Sequence, residues 1–189
     1  MEDMKNIVSA ILLEIGNLNM PLLIAVDGRC ASGKTTLAAA LKKETDCSVI
    51  HADHFFLRPE QRTEERLNEA GGNIDYERLR AEVMLPLSQG KVFSYRKFDC
   101  GKMELSDEIR VEPNKIAVIE GSYSCHPELW DFYGLRIFLI AEPEEQFRRI
   151  LNRGGREAAE QFRRRWIPME EKYFSRFKIR ERCDLVFQT

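Results

Sequence analysis

The feature that most constrains this chain is a glycine-rich segment that follows an apolar run. The segment Gly28-Arg29-Cys30-Ala31-Ser32-Gly33-Lys34-Thr35-Thr36 comes after residues 21–26 and leads into residues 37–41. Its spacing fits the pattern G-x-x-x-x-G-K-[ST] of a phosphate-binding loop. The glycines let the backbone curl with its N–H groups pointing inward, and the following helix adds the partial positive charge of its N-terminus. The sequence therefore predicts a P-loop between a buried strand and a helix.

The P-loop pattern assigns roles to individual residues. We expect the amino group of Lys34 to reach the β- and γ-phosphates of a nucleotide and the hydroxyl of Thr35 to bind Mg²⁺. Further residues expected to contact the nucleotide are Gly28, Ala31, Ser32, Gly33 and Thr36. These assignments imply ATP and Mg²⁺ as cofactors, and they leave open whether GTP replaces ATP as the donor.

Length and charge limit the class of protein. A chain of 189 residues can bury a full core without disulfides or a structural metal, and we expect a single domain over residues 1–189. The formal net charge of -2 argues against a general nucleic-acid binder. The five cysteines are scattered without a C-x-x-C pair, which fits free thiols in a reducing cytoplasm. The oligomeric state stays open, with a homo-oligomer among the alternatives.

The N-terminal apolar residues have helical spacing. Met4, Ile7, Ile11, Ile15 and Leu18 recur as on one face of an amphipathic helix. Acidic residues interrupt this segment, and the sequence has no run of about 18 uncharged apolar residues. We therefore expect a cytoplasmic protein with neither a membrane span nor a secretion signal.

The other apolar runs predict an α/β fold. Continuous apolar runs are typical of strands that are buried on both faces of a parallel sheet. The expected strands are 22–26, 48–51, 116–119, 135–140 and 184–187, and the expected helices are 63–67, 73–87, 144–152 and 158–165. Alternating apolar residues predict a β-hairpin inserted at 91–111. Glycines at 154–155 break the helical pattern, and we expect an arginine-rich lid at 153–165. The prediction is a P-loop NTPase-type, mostly parallel sheet with flanking helices.

Two acidic residues follow expected strands. Asp53 comes shortly after the second strand and Glu120 ends the third, and ligands of open α/β sheets collect beyond the carboxyl ends of strands. A carboxylate there can accept the proton of an attacking hydroxyl or hold Mg²⁺. We predict Asp53 as the catalytic base and substrate contact, and Thr35, Glu120 and Asp53 as metal-binding residues.

Arginines of the lid are candidates for phosphate binding. One guanidinium group can bind two phosphate oxygens at once, and a mobile lid can bring such groups over a triphosphate. Arg149, Arg153 and Arg156 flank the glycine break. We predict that Arg149 and Arg156 bind the nucleotide and that Arg153 acts with Lys34 and Asp53 in catalysis.

Taken together, these motifs resemble the uridine kinase and phosphoribulokinase group of P-loop kinases. The matching segments are 28–36, Asp53-His54-Phe55-Phe56, Glu120-Gly121 and the arginines 148, 149, 153 and 156. The resemblance implies transfer of phosphate from ATP to a hydroxyl group of a small metabolite, with Asp53 as the base. In uridine kinases the inserted hairpin holds the nucleoside with a Tyr-Asp-Phe element followed by a histidine. Here the stretch reads Tyr95-Arg96-Lys97-Phe98-Asp99 without that histidine.

The acceptor is where alternatives remain. Tyr95 and Phe98 are predicted to stack on a nucleoside base such as uracil or cytosine, whereas Arg96 or Lys97 would suit an anionic substrate. The alternative for these residues is that alternate side chains of the hairpin only pack one face. The favoured function is a nucleoside kinase; the alternatives are a kinase for pantothenate, a sugar phosphate or a nucleoside monophosphate, and a regulatory nucleotide-binding module without turnover. A GTPase switch is disfavoured because Asn114-Lys115-Ile116-Ala117 lacks the aspartate of the guanine-reading element and precedes a strand.

Overall fold

The computed structural model describes residues 3–189 and has a five-stranded parallel sheet at its centre. The strands are β1 (Leu22–Gly28), β2 (Ser48–His51), β3 (Phe93–Asp99), β4 (Glu104–Val111), β5 (Ile116–Glu120), β6 (Leu135–Ile140) and β7 (Leu185–Gln188). The central sheet has the order β2-β5-β1-β6-β7 with every neighbouring pair parallel, and β3 and β4 form a separate antiparallel hairpin. This architecture confirms the expected α/β fold with a parallel sheet.

Helices cover both faces of the central sheet. They are α1 (Met4–Gly16), α2 (Lys34–Thr45), α3 (Glu64–Asn68), α4 (Tyr76–Leu79), α5 (Leu85–Ser88), α6 (Pro143–Gln161), α7 (Ile167–Phe177) and α8 (Ile179–Arg182). A π-helical turn at Arg80–Met84 joins α4 to α5, and another at Phe162–Trp166 joins α6 to α7. Every helix within residues 3–189 is too short or too polar to cross a bilayer.

The central strands are buried because the core packs against both of their faces. All residues of β1 and β5 are buried. Alternate side chains of β1 belong to different cores: Ile24 and Val26 pack with α1 and α2, whereas Leu23 and Ala25 pack with the region of α4, α5 and α7. This two-sided burial accounts for the continuous apolar runs that predicted the strands.

Helix α1 forms from the predicted amphipathic pattern. Asp3 caps its N-terminus, where the carboxylate accepts a hydrogen bond from the amide of Lys5. Ile7, Ile11 and Ile15 are buried against the core that also contains α2. Helix α1 therefore packs in the same core as α2, the helix that follows the P-loop.

The glycine break in the lid is shorter than the sequence indicated. Only Gly155 leaves helical geometry, with φ 76° and ψ −178°, and α6 continues across residues 153, 154 and 156. Glycine tolerates this φ because it has no Cβ. The basic segment also does not end the helical region, because it continues into α7. Sequence reasoning did not find α7, whose buried positions include the charged residue Glu170.

Gly28 gives a test of how closely β1 and β6 approach. Its φ is +132°, and a Cβ there would lie 2.1 Å from the carbonyl oxygen of Leu139. Gly28→Ala should lower the free energy of unfolding by at least about 3 kcal/mol through backbone strain and overlap. Urea unfolding followed by circular dichroism measures this. Gly16→Ala is the control: a Cβ at Gly16 meets no atom within 4 Å, so its effect should stay within about 0.5 kcal/mol. Equal stability of the two variants would contradict the close approach.

Candidate active site

A cavity of about 960 Å³ opens beyond the carboxyl ends of β1, β2 and β5. Parallel strands direct the segments that follow them to the same edge of the sheet. The cavity wall contains the P-loop, Asp53, Glu120 and parts of the lid; in full, it is lined by Met4, 30–36, Asp53, Phe56, Arg62, Asn73, Cys100, Met103, 120–123, Arg149, Arg153, Gln161, Phe162, Trp166, Glu170 and Thr189. Most of the predicted site residues therefore meet in one place.

The P-loop joins β1 to α2 as predicted. The amino group of Lys34 donates hydrogen bonds to the carbonyl oxygens of Gly28 and Arg29, both at 2.8 Å. Gly33 has φ +90° and comes just before the first residue of α2. Ser32 is fully buried, and its hydroxyl has no hydrogen-bond partner among residues 3–189. A loop that keeps a buried polar atom unpaired beside a helix N-terminus fits the binding of phosphate oxygens.

Thr35 and Glu120 form a candidate metal-binding pair. The hydroxyl of Thr35 lies 3.2 Å and 3.3 Å from the two carboxylate oxygens of Glu120. His51 lies opposite Glu120 in the sheet register, and its Nδ1 contacts the same carboxylate. Hydrogen bonding to Glu120 raises the pKa of His51, against the opposing effect of burial. A hydroxyl and a carboxylate are ligands of the kind that Mg²⁺ takes when phosphates and water complete its shell.

Asp53 lies in the short helical turn Ala52–Phe55 after β2. Its side chain is open to cavity solvent, but the protein packed around the cavity reduces its hydration and raises its pKa. Lys34 opposes this shift, whereas Glu120 and Glu170 add to it. The backbone at Gly121 passes close to Asp53, since a Cβ at Gly121 would lie 3.2 Å from Oδ1 of Asp53.

The three arginines predicted on either side of the glycine break lie in different positions. Arg149 reaches the P-loop and donates a hydrogen bond to the carbonyl oxygen of Ala31 at 3.1 Å. Arg153 lines the cavity, with its guanidinium 5.8 Å from the ring centre of Phe162. Arg156 is exposed and is not part of the cavity wall. Within residues 3–189 the structure therefore brings two of the three arginines to the cavity.

The hairpin side chains predicted to contact substrate do not line the cavity. Tyr95 and Phe98 are buried: the hydroxyl of Tyr95 lies 3.0 Å from Nδ1 of His54, and Phe98 contacts Arg62. The guanidinium of Arg96 folds back to the carbonyl oxygens of Leu105 and Ser106 on the opposite strand. Strict alternation would place Tyr95 and Phe98 on opposite faces of the strand, but the register of the hairpin shifts between Arg96 and Phe98, and both aromatic side chains are buried. The hairpin reaches the cavity through Cys100 and Met103 at its tip.

Sequence reasoning missed the buried carboxylate of Asp27. Asp27 is fully buried at the end of β1. It accepts hydrogen bonds from the amides of Gly28, Tyr123 and Cys125 and from the hydroxyl of Tyr173 at 2.8 Å. Burial raises its pKa to about 6 despite these donors. The available signal was a single charged residue at the end of an otherwise apolar strand.

Glu170 was missed because α7 was missed. Its buried carboxylate accepts hydrogen bonds from the amide of Cys30 in the P-loop at 3.0 Å and from the hydroxyl of Ser122 at 2.6 Å. The next residue, Glu171, pairs with Arg29 at 2.7 Å. Helix α7 is thus fastened to the P-loop at two consecutive positions.

Known proteins similar to this chain are described as kinases. No protein-family model matches the chain. Over 152 residues the chain is 26% identical to a Caenorhabditis elegans protein described as "Probable uridine-cytidine kinase", a match that covers 71% of this chain. The match spans 61% of that relative, which is less than two thirds of its length.

Solved structures share the whole fold. A Bacillus stearothermophilus protein described as a "Possible Uridine Kinase" has a TM-score of 0.72 at 20% identity, covering 98% of this chain and 100% of the other. A Silicibacter protein described as a "putative fructose transport system kinase" has a TM-score of 0.71 at 20% identity, covering 99% and 100%. The fold is therefore the one seen in P-loop kinases.

The hydrogen bond between Tyr173 and Asp27 can be tested by its pH dependence. Burial holds the pKa of Asp27 in the folded protein at about 6, above the ordinary aspartate value of 3.8, so its contribution to stability is full below the lower value and is lost as pH rises through about 6. Tyr173→Phe removes a donor that favours the ionised form. It should cost about 1 kcal/mol at pH 5 and about 2 to 3 kcal/mol at pH 8, measured by urea unfolding.

Tyr133→Phe is the matched control for this measurement. The hydroxyl of Tyr133 is buried and donates to the uncharged carbonyl oxygen of Ser124 at 2.9 Å. Its loss should cost about 1 kcal/mol at both pH values. The same pH-independent cost in both variants would show that Asp27 is not the titrating partner of Tyr173.

Proposed function

Because the chain resembles the uridine kinase group of P-loop kinases in sequence and fold, we propose that it transfers the γ-phosphoryl group of ATP to a hydroxyl group of a small metabolite. The observation that carries this proposal is the meeting of three parts in one cavity. These parts are the P-loop, the Thr35–Glu120 pair and the carboxylate of Asp53. Together they supply a phosphate site, a metal site and a proton acceptor.

The donor binds at the P-loop in this proposal. Lys34 exchanges its contacts with loop carbonyls for the β- and γ-phosphates, while the N-terminus of α2 and the loop amides hold the phosphate oxygens. Arg149 and Arg153 approach the same phosphates from the lid side. Thr35 and Glu120, with Asp53 nearby, would hold Mg²⁺, which would supply positive charge against the phosphates.

Asp53 acts on the acceptor. Its carboxylate accepts the proton of the attacking hydroxyl as the new oxygen–phosphorus bond forms and the bond to the β-phosphate oxygen breaks, which releases ADP. Reduced hydration and the neighbouring acids raise the pKa of Asp53. A raised pKa makes this carboxylate a better proton acceptor than an aspartate in water.

The acceptor is a nucleoside, such as uridine or cytidine, or one of the other metabolites that the sequence left open. The name of the Caenorhabditis elegans relative supports a nucleoside. Pantothenate, sugar phosphates and nucleoside monophosphates are the alternatives within the same reaction class.

Asp53→Asn tests the proton acceptor. The variant should lower turnover by about 100-fold or more while binding of a non-hydrolysable ATP analogue stays nearly intact. ADP release with Mg²⁺ and ATP is measured across uridine, cytidine, their 5′-monophosphates, pantothenate and ribulose 5-phosphate. Asp107→Asn on exposed strand β4 is the control and should retain full activity. Full activity of Asp53→Asn would remove Asp53 from the chemistry.

Lys34→Ala tests the phosphate site. Because Lys34 is expected to contact the transferred phosphate throughout the reaction, the variant should weaken binding of the ATP analogue at least about tenfold and lower turnover as well. Calorimetric titration and the same ADP assay measure the two effects. Lys43→Ala on the exposed face of α2 should leave both unchanged. Unaltered binding and turnover in Lys34→Ala would contradict a P-loop kinase.

A further inference from the structure

Besides Asp53, five residues that line the cavity come from the segment between β2 and β3 and from the tip of the β3–β4 hairpin. They are Phe56, Arg62 and Asn73, with Cys100 and Met103 at the hairpin tip. We call these five residues the acceptor wall. None of them belongs to the P-loop or to the pair that is proposed to hold Mg²⁺.

Arg62 is the only basic residue of the acceptor wall, and its charge is not paired. Its Nε donates a hydrogen bond to the carbonyl oxygen of Leu57 at 2.9 Å, and its guanidinium lies 5.5 Å from the ring centre of Phe98. Among residues 3–189, no carboxylate lies within 4.0 Å of this guanidinium. Nε is thus fixed to the backbone, and the side-chain hydrogen-bond partner of the guanidinium is the thiol of Cys100, whose pKa is raised by burial, so the positive charge has no anionic partner within residues 3–189.

Asn73 presents a second unpaired donor. The residue is 6% exposed and lines the cavity, and its side-chain amide makes no hydrogen bond to another residue within 3–189. Its backbone is fixed, because its carbonyl oxygen accepts a hydrogen bond from the amide of Leu57 at 3.3 Å. An amide in a cavity wall without a protein partner can donate a hydrogen bond to a ligand.

The acidic residues of the cavity do not neutralise Arg62. Asp53 makes no salt bridge with Arg62 within 4.0 Å. Glu120 is engaged by Thr35 and His51, and Glu170 by Ser122 and the P-loop. Holding a partly desolvated guanidinium without an anion costs free energy, which a bound anion recovers. The planar guanidinium fork matches the paired oxygens of a phosphate or carboxylate.

We propose that the phosphate acceptor carries an anionic group, a phosphate or a carboxylate, which Arg62 binds while Asn73 donates a hydrogen bond to a neighbouring oxygen. The inference rests on the proposed kinase activity and narrows its substrate class. In this arrangement the acceptor hydroxyl lies at Asp53, and the charged group lies at Arg62. Nucleoside monophosphates, sugar phosphates and pantothenate meet this requirement, whereas uridine and cytidine do not.

Matched pairs of compounds test the charge requirement. The pairs are uridine 5′-monophosphate with uridine, ribulose 5-phosphate with ribulose, and pantothenate with its neutral alcohol. Binding is measured by calorimetry with the P-loop saturated by Mg²⁺ and a non-hydrolysable ATP analogue, and ADP release is measured with ATP. At least one charged member should bind about 10-fold or more tightly than its neutral partner. The pair that responds distinguishes a phosphate from a carboxylate.

Arg62→Gln then tests the residue. The variant should raise the KM for the charged acceptor about 10- to 100-fold with a smaller change in kcat, because the interaction is made equally in the ground state and the transition state. Affinity for the ATP analogue should not change. Arg58→Gln is the control: Arg58 does not line the cavity and pairs with the exposed Glu60. Thermal unfolding verifies that both variants are folded.

The outcomes separate this inference from the proposed function. Lack of preference for the charged member in every pair, in binding as in turnover, overturns the inference, as does an unchanged KM in Arg62→Gln. If uridine is phosphorylated at least as efficiently as its monophosphate, the inference is also overturned, but the proposed kinase activity stands. A charged acceptor that binds through Arg62 without ADP release supports the anion site and overturns the proposed function.

Discussion

The rest of the structure depends on the four hydrogen bonds to the buried carboxylate of Asp27. These bonds connect the end of β1, the segment after β5 and helix α7. A fully buried carboxylate is costly unless donors surround it, and four donors from three segments can do so only when those segments are in register. Asp27 thereby fixes the start of the P-loop relative to Glu120, on which the proposed metal site depends.

The lid helices extend this connection to the far side of the P-loop. Gln146 of α6 donates hydrogen bonds to the carbonyl oxygen and Sγ of Cys30, while Glu170 of α7 accepts from the amide of the same residue. Two helices thus hold one loop residue from opposite sides. Helices α6 and α7 are joined by a π-helical turn, so the segment predicted as a lid, 153–165, lies between two residues that contact Cys30, Gln146 and Glu170.

Local chemistry could be predicted from the sequence, and contacts between distant segments could not. The P-loop depends on spacing within nine residues, and the central strands on continuous apolar runs, so both were confirmed. The orientation of Tyr95, Arg96 and Phe98 depends on which face of the hairpin packs on the core, which alternation alone does not decide. Glu170 contacts a loop 140 residues away, and its charge obscured the apolar face of α7. The role proposed for Arg62 likewise depends on its position in the cavity wall, which the sequence alone does not indicate.

The proton affinity of Asp53 is set by groups from several elements. Glu120 of β5 and Glu170 of α7 raise its pKa, and Lys34 of α2 lowers it. Each acid has a contact of its own, Glu120 with His51 and Glu170 with Ser122. When Lys34 turns from the loop carbonyls to a phosphate group, its stabilisation of the Asp53 carboxylate is shared with that anion. Bound Mg²⁺ beside Asp53 would oppose the effect of these two acids and favour the carboxylate form, which accepts the proton of the acceptor hydroxyl.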